Sequence, residues 1–321
     1  MLRPAFSGVM TAIATPFTKS GDIDQAAFRT LLRQQKKAGI HGVVVAGTTG
    51  ESPTLGENER EVLVLLALEE RTPQFRVYVG TGTNDTRSTL AASQKYAAMK
   101  NPVTDQCVDG VMVVVPYYNK PNQTGLFEHF KTIAQGIGDA SLCVYNVPGR
   151  TGATLAPLTF VKLAKECKNI VAIKEAAGDV RIITELREGL APVLRQRQVL
   201  QQPGIEILSG DDPTFAPALL CGATGVISVS THLIPGAMVA MHQAFLKGDF
   251  AALQRLHLAT YRLNSDLFCA PNPIALKWAL AHLGVCEAHL RSPLSPLEAR
   301  EIEILSHALA AMEINGIKLL A

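Results

Sequence analysis

Val111-Met112-Val113-Val114-Val115 places no polar side chain on either of the two faces that a strand presents. A strand with water on one face alternates apolar and polar residues. One that is apolar throughout is covered on both faces, as in a parallel sheet flanked by helices. Runs of similar apolar, β-branched character stand on both sides of it, at residues 9–13, 43–45, 77–79, 142–145, 171–173, 205–208 and 226–229. The eight runs recur about every 30 residues, the length of one strand plus its crossover helix. Segments of helical period fill the intervals at residues 26–38, 57–70, 86–99, 125–137 and 156–166. Strand and helix alternating eight times over predict closure into an α/β (β/α)8 TIM barrel rather than an open doubly wound sheet. No GxGxxG follows the first run, which further disfavours the open sheet.

Beyond the eighth run the helical period continues at residues 233–246, 250–268, 273–283 and 296–312. Pro271, Pro273, Pro293 and Pro296 mark the breaks. The first of these segments completes the barrel and the others predict a C-terminal helical region. The expected division is therefore barrel strands and catalytic loops over residues 1–232, then the last barrel helix and helical region over 233–321. Residues 190–203, rich in Gln and Arg, predict an elaborated connection before the seventh strand.

Composition narrows the class of protein. With 47% hydrophobic and 18% charged residues in 321, the chain builds a large core and is not a disordered polymer. Its net charge of +2, without a polybasic run, predicts neither nucleic acid nor an anionic membrane surface as partner. No apolar stretch approaches the roughly 20 residues that span a bilayer. The six cysteines are scattered without a CxxC pair, and no apolar secretory segment follows Met1. These features predict a cytoplasmic protein with reduced, structural cysteines. The eight histidines form no HExxH, and no His/Cys/carboxylate cluster has ligand spacing, so no catalytic metal is expected.

In a (β/α)8 barrel the chemistry sits at the C-terminal ends of the strands and in the loops that follow. The second strand leads into Gly47-Thr48-Thr49-Gly50-Glu51-Ser52, where glycines let backbone approach a ligand and hydroxyls can hold a carboxylate. A plain tight turn would look the same. The fourth leads into Pro116-Tyr117-Tyr118-Asn119-Lys120-Pro121, whose phenols can donate and accept protons or simply pack. The fifth ends at Tyr145, followed by Asn146-Val147-Pro148-Gly149-Arg150-Thr151, a phenol and a guanidinium suited to proton transfer and carboxylate docking.

The sixth strand carries the strongest signal, Val171-Ala172-Ile173-Lys174-Glu175. Lysine is almost never fully buried, yet here it ends an apolar barrel strand. Desolvation disfavours an ammonium, and a neutral amine is what attack on a ketone requires. The competing explanation is an ion pair with Glu175 or Glu51. Lys120, in a loop, and Lys277, on a C-terminal helix, are poorer nucleophiles by position. The seventh strand ends in Ser209-Gly210-Asp211-Asp212, with backbone at Gly210, and at Ile227 on the eighth, expected to line the pocket. The aspartates are expected mainly to cap the next helix.

These loops, taken together and in this order, resemble the dihydrodipicolinate synthase branch of the N-acetylneuraminate lyase superfamily. The resemblance runs from Gly8-Val9-Met10-Thr11-Ala12 to Asn272-Pro273-Ile274-Ala275-Leu276-Lys277-Trp278. It implies a lyase without organic cofactor, acting through a covalent imine between Lys174 and pyruvate. The derived enamine would attack L-aspartate-4-semialdehyde, and cyclisation would give 4-hydroxy-tetrahydrodipicolinate on the route to diaminopimelate and lysine. It further implies proton relay by Thr48, Tyr145 and Tyr118, with Tyr118 serving a neighbouring subunit of a homodimer or a dimer of dimers. Thr49 would bind the pyruvate carboxylate, Arg150 the semialdehyde, and Ile227 would offer its carbonyl. Related branches, including N-acetylneuraminate and 2-keto-3-deoxygluconate or 4-hydroxy-2-oxoglutarate aldolases, share the lysine and the fifth-strand tyrosine but lack the equivalent of Arg150. A catalytically dead barrel acting as a binding protein would have lost Lys174 or Tyr145. Of the effector site used by lysine-sensitive relatives, the chain keeps Ser52, Asn84 and Tyr117. It carries Glu57, Arg60 and Ser88 where those relatives have two histidines and a glutamate, which implies weak or absent inhibition by L-lysine.

Overall fold

The computed structural model describes residues 6–320. Eight strands close in sequence order into a barrel: β1 (Gly8–Ala12), β2 (Gly42–Val45), β3 (Arg76–Gly80), β4 (Gly110–Val114), β5 (Ser141–Asn146), β6 (Ile170–Glu175), β7 (Glu206–Ser209) and β8 (Gly225–Ser228). Each boundary falls within two residues of its apolar run. The crossover helices are α1 (Gln25–Lys37), α2 (Glu57–Glu69), α3 (Thr86–Ala98) and α4 (Gln123–Gly136). A short α5 (Pro148–Thr151) precedes α6 (Pro157–Glu166), α7 (Val180–Val199) and α8 (Phe215–Leu220). After β8 come α9 (Pro235–Leu246), α10 (Phe250–Asp266), α11 (Ile274–His282) and α12 (Ala299–Ile314).

The chain divides into two compact units, one built on Val77–Ile227 and the other on Val9–Arg76 with the chain from Ser228. In the first, the strand period of two sorts side chains onto opposite faces. Val111, Val113, Leu142, Val144, Ile173 and Ile207 pack into one core with Phe130, Ile133, Phe160, Leu163 and Leu186 of the helices. The alternate residues Met112, Cys143, Tyr145, Ala172, Lys174 and Leu208 are buried as well and lie outside that core, on the other face of the strands. Their neighbours along the ladder keep the same parity, Cys143 beside Ala172 and Tyr145 beside Lys174.

Residues 190–203 do not form the predicted loop. α7 runs unbroken through Pro192 to Val199, and only the last few residues connect it to β7. The Gln- and Arg-rich composition hid two features that keep this stretch helical. Leu190 and Val193 belong to the core, and Arg197 is buried. The Arg197 guanidinium donates to the carbonyls of Ala164 at 2.5 Å, Cys167 at 3.0 Å and Pro203 at 3.2 Å. Ala164 and Cys167 hold terminal carbonyls of α6, the negative end of that helix and a proper seat for a buried cation. Burial still holds the guanidinium down, at about 10.

The second unit contains a polar seam. Buried Gln35 on α1 accepts from Thr11 Oγ1 at 2.6 Å and donates to the Thr231 carbonyl at 3.1 Å. Next to it His232 is fully buried, with Nδ1 at 2.8 Å from the Val229 carbonyl and Nε2 accepting the Ala14 N–H at 3.0 Å. Nδ1 therefore carries the proton, and a second proton on Nε2 would face a donor. Burial pushes this imidazole down to about 4, although the Val229 carbonyl pulls the other way.

Because the unfolded chain accepts that proton near 6.5, the neutral ring's contribution is complete above pH 6.5 and is lost as pH falls towards 4. Urea unfolding across pH 7 to 4 should show stability falling by at most about 1.4 kcal/mol per pH unit from this group. His232→Gln should be less stable at pH 7 and should show a shallower acid slope. An unchanged slope would remove His232 as the cause.

Candidate active site

Within the first unit, β5 and β6 bring the two strongest candidates together. Register pairs Tyr145 with Lys174, and the Lys174 Nζ lies 4.4 Å from the centroid of the Tyr145 ring. Both residues are 5% exposed, so the amine sits at the mouth rather than in solvent. Glu175, the suspected ion-pair partner, turns away from it. Its carboxylate accepts from Asn146 Nδ2 at 2.8 Å and from the Ala177 N–H at 2.9 Å. Burial raises the Glu175 carboxyl above the usual carboxylate range, and these hydrogen bonds only partly oppose it. Among the described residues Lys174 has no carboxylate partner.

Gly210 does more than the sequence suggested. Its N–H donates to the Glu175 carbonyl at 2.7 Å. A Cβ at this position would lie 2.6 Å from the Ala176 Cβ and 2.8 Å from the Lys174 Cε. The missing side chain is the space in which the lysine side chain runs. On the other side of the pair, Cys143 shares the strand face of Tyr145 and is fully buried. Burial pushes its thiol up to about 12, against the pull of the Lys174 charge, so this thiol stays neutral and inert. Ile227 is buried in β8.

Three loops of this unit meet above the strands. The Tyr118 N–H reaches the Thr151 carbonyl at 3.4 Å, tying the loop after β4 to α5, which carries Arg150. Asn119 Nδ2 donates to the Asn84 carbonyl at 2.8 Å, adding the loop after β3. Tyr118 is 88% exposed and sits at φ 73°, a left-handed conformation that costs a non-glycine residue energy. Tyr117 and Arg150 are exposed too. At the start of α8, Asp211 accepts from the Thr214 N–H at 3.2 Å and hydroxyl at 2.6 Å, and Thr214 itself is the cap residue.

The second unit holds the loop after β2. Thr48 is half-buried and Thr49 fully so. Gly50 is pressed against the chain just after β1, where a Cβ would meet the Ile13 carbonyl oxygen at 3.1 Å, and its carbonyl accepts from Thr15 Oγ1 at 2.8 Å. Glu51 is buried in the left-handed region at φ 54°. Its carboxylate is ion-paired with the fully buried Lys277 of α11 and accepts the Arg291 N–H at 3.1 Å. Lys277 also donates to the His289 carbonyl at 2.9 Å and lies 3.9 Å from the Phe17 ring centroid. The Arg291 guanidinium holds the Thr54 carbonyl at 2.7 Å and Glu59. Arg60 donates to the Ser52 carbonyl at 2.9 Å. Nothing in the sequence pointed to Arg291 in this role, and Lys277 read only as a poorer nucleophile on a C-terminal helix. No group of three or more His, Cys, Asp or Glu among the described residues could hold a metal ion. No helix among them is long and apolar enough to cross a membrane.

A barrel whose sixth strand ends in a buried lysine, beside a tyrosine and without a carboxylate partner, is that of a Schiff-base-forming lyase of the class I aldolase type. Residues 5–312 match the model of the dihydrodipicolinate synthetase family. The 4-hydroxy-tetrahydrodipicolinate synthase of Fervidobacterium nodosum is 40% identical over 300 residues, 94% of this chain and 96% of that protein. The solved synthase from the methanotroph Methylacidiphilum fumariolicum SolV superposes with a TM-score of 0.87 at 38% identity, covering 97% of both chains. That from Cyanidioschyzon merolae, solved with lysine bound, gives 0.87 at 34% identity over 96% of this chain and 99% of its own. The chain belongs to the dihydrodipicolinate synthetase family.

The space at Gly210 yields a direct test. Gly210→Ala should displace the Lys174 side chain and lower kcat/KM by about a hundredfold, the usual penalty for a misplacement near 1 Å. Borohydride trapping of the pyruvate imine should fall in parallel while circular dichroism stays unchanged. Full activity in this variant would mean that the lysine does not need that channel.

Proposed function

We propose that this chain condenses pyruvate with L-aspartate-4-semialdehyde through an imine on Lys174 and delivers 4-hydroxy-tetrahydrodipicolinate. The observation that carries the reading is a buried lysine near a strand end with an aromatic neighbour and no carboxylate partner among the described residues. The amine adds to the pyruvate ketone, and loss of water gives the imine. Loss of a methyl proton then gives the enamine, whose carbon attacks the aldehyde of the second substrate. The amino group of that substrate displaces Lys174 from the imine carbon, closing the ring and restoring the free amine.

Each step moves a proton, and Tyr145, Thr48 and Tyr118 are the groups assigned to carry them. Tyr145, by its place beside the Lys174 amine, suits proton transfer to the departing carbinolamine hydroxyl and from the methyl carbon next to the imine. Thr49 is assigned to the pyruvate carboxylate, and Gly210 and Ile227 to the pocket wall. Arg150 lies exposed on α5, where its planar fork can take the semialdehyde carboxylate through two parallel hydrogen bonds.

Two experiments check the reading. Sodium borohydride added with pyruvate should leave a stable adduct that peptide mapping places on Lys174. Lys277 is the informative control, since it is equally buried but ion-paired. A label on Lys277 would overturn the assignment, as would substantial turnover by Lys174→Ala.

The second experiment concerns assembly. Tyr118 is held out into solvent in a strained backbone, which suits a phenol that works in a neighbouring copy. A homodimer is then the smallest complete unit, with a dimer of dimers as the expected whole. Mixing inactive Tyr118→Phe with inactive Lys174→Ala subunits, under conditions verified to exchange them, should restore activity. No recovery would mean that each chain is self-sufficient.

A further inference from the structure

Thr49 is 2% exposed, and its hydroxyl has one partner among the described residues: Oγ1 accepts from Asn272 Nδ2 at 2.9 Å. A hydroxyl offers one donor and two lone pairs. Asn272 occupies one lone pair, while the hydroxyl's own hydrogen has no acceptor among the described residues. Leaving a buried donor unsatisfied costs about 1–3 kcal/mol, so such a hydrogen needs an acceptor from outside the chain, a water or a ligand.

Asn272 is itself built in. It is 7% exposed and lies between Pro271 and Pro273, whose rings restrict the backbone on both sides of it. Further along the same segment Lys277 grips Glu51. One stretch at the start of α11 therefore holds both Thr49 and Glu51 of the loop after β2.

We propose that Asn272 is a positioning residue for pyruvate binding: by donating to Thr49 Oγ1 it turns the Thr49 hydroxyl hydrogen towards the substrate carboxylate. This rests on the reading that Thr49 binds that carboxylate. An amide donor at this place fixes the polarity of the hydroxyl. With an apolar residue there, the hydroxyl rotates freely and the donor must be oriented anew each time pyruvate binds. Its proposed effect on pyruvate binding passes through the Thr49 hydroxyl.

A double-mutant cycle tests this in the full-length protein, with wild type, Thr49→Val, the near-isosteric Asn272→Leu and the double variant. The readouts are the KM for pyruvate, kcat at saturating pyruvate, and the pyruvate concentration giving half-maximal imine trapping by borohydride. Thr49→Val should raise the KM for pyruvate about tenfold or more, as expected for a hydrogen bond to a charged group. Asn272→Leu should raise it about three- to tenfold, with kcat and the KM for the semialdehyde little changed. In the double variant the KM should equal that of Thr49→Val, because the proposed effect of Asn272 on pyruvate runs through the Thr49 hydroxyl. Should the leucine variant fail to fold, Asn272→Ala carries the same cycle.

The outcomes separate cleanly. If Thr49→Val leaves the KM for pyruvate unchanged, the carboxylate-binding role of Thr49 falls, and the proposal with it. If Thr49→Val raises the KM but the Asn272 variant does not, Thr49 stands and the proposal is overturned. The same holds if the two effects multiply in the double variant, or if Asn272→Leu lowers only the unfolding midpoint.

Discussion

Tyr145 and Lys174 are neighbours because β5 and β6 pair in one register, and the chemistry of the first unit depends on that register. The ladder places Tyr145 opposite Lys174 and Asn146 opposite Glu175. A slip of one residue would send Lys174 into the helix-packed layer now filled by Ile173, and the amine would meet leucines and phenylalanines. What prevents the slip is the apolar set on that outer face, together with Asn146. Its amide bonds Glu175 on one side, and its carbonyl oxygen accepts the Leu155 N–H at 3.0 Å on the other. The packing that fixes this register also fixes the face on which the Lys174 amine lies.

Among the described residues two lysines are buried, and the contrast between them separates a structural cation from the proposed nucleophile. Lys277 has three donors to satisfy and gives them a carboxylate and a carbonyl, with an aromatic face beneath. Burial lowers its affinity for the proton, while Glu51 opposes that loss. Such an ammonium is locked, and breaking the pair would leave a buried charge uncompensated. Lys174 is buried to a similar degree, but its neighbours are a ring, the open flank of Gly210 and a thiol held neutral. A Schiff base needs an amine that can reach a carbonyl carbon, and no carboxylate among the described residues ties Lys174 down.

Most of the barrel was legible because its strands are written in apolar, β-branched runs that recur about every 30 residues. Lys174 was legible for the same reason, as a charge where the pattern demands none. The α7 helix was not. Residues 190–203 read as polar because Arg197 looks like a surface residue, and only the carbonyls it caps at the end of α6 explain its burial. Gly210 was legible as part of a pocket but not as the channel for a lysine side chain, since a glycine's use lies in what it leaves empty. The partners of the loop after β2 were hidden by distance along the chain. Thr49 and Asn272, or Glu51 and Arg291, are linked only once α11 and the segment after it are folded.

That long-range linkage makes the C-terminal region part of how the second unit holds its loop. Ala46 and Glu51 both sit in the left-handed region, at φ 54° each, a conformation that costs a non-glycine residue of order 1–3 kcal/mol. Burying the Glu51 carboxylate without a partner would cost more still. Neither feature would persist on the tendencies of Gly47-Thr48-Thr49-Gly50-Glu51-Ser52 alone. The ion pair with Lys277, the Arg291 N–H on the carboxylate and the Asn272 amide on Thr49 offset those costs from outside the loop. Dependence runs both ways, because Lys277 is as costly to bury without Glu51 as Glu51 is without Lys277. The loop and the segment from Asn272 to Arg291 therefore order each other, and a change in either reaches the hydroxyls through the other.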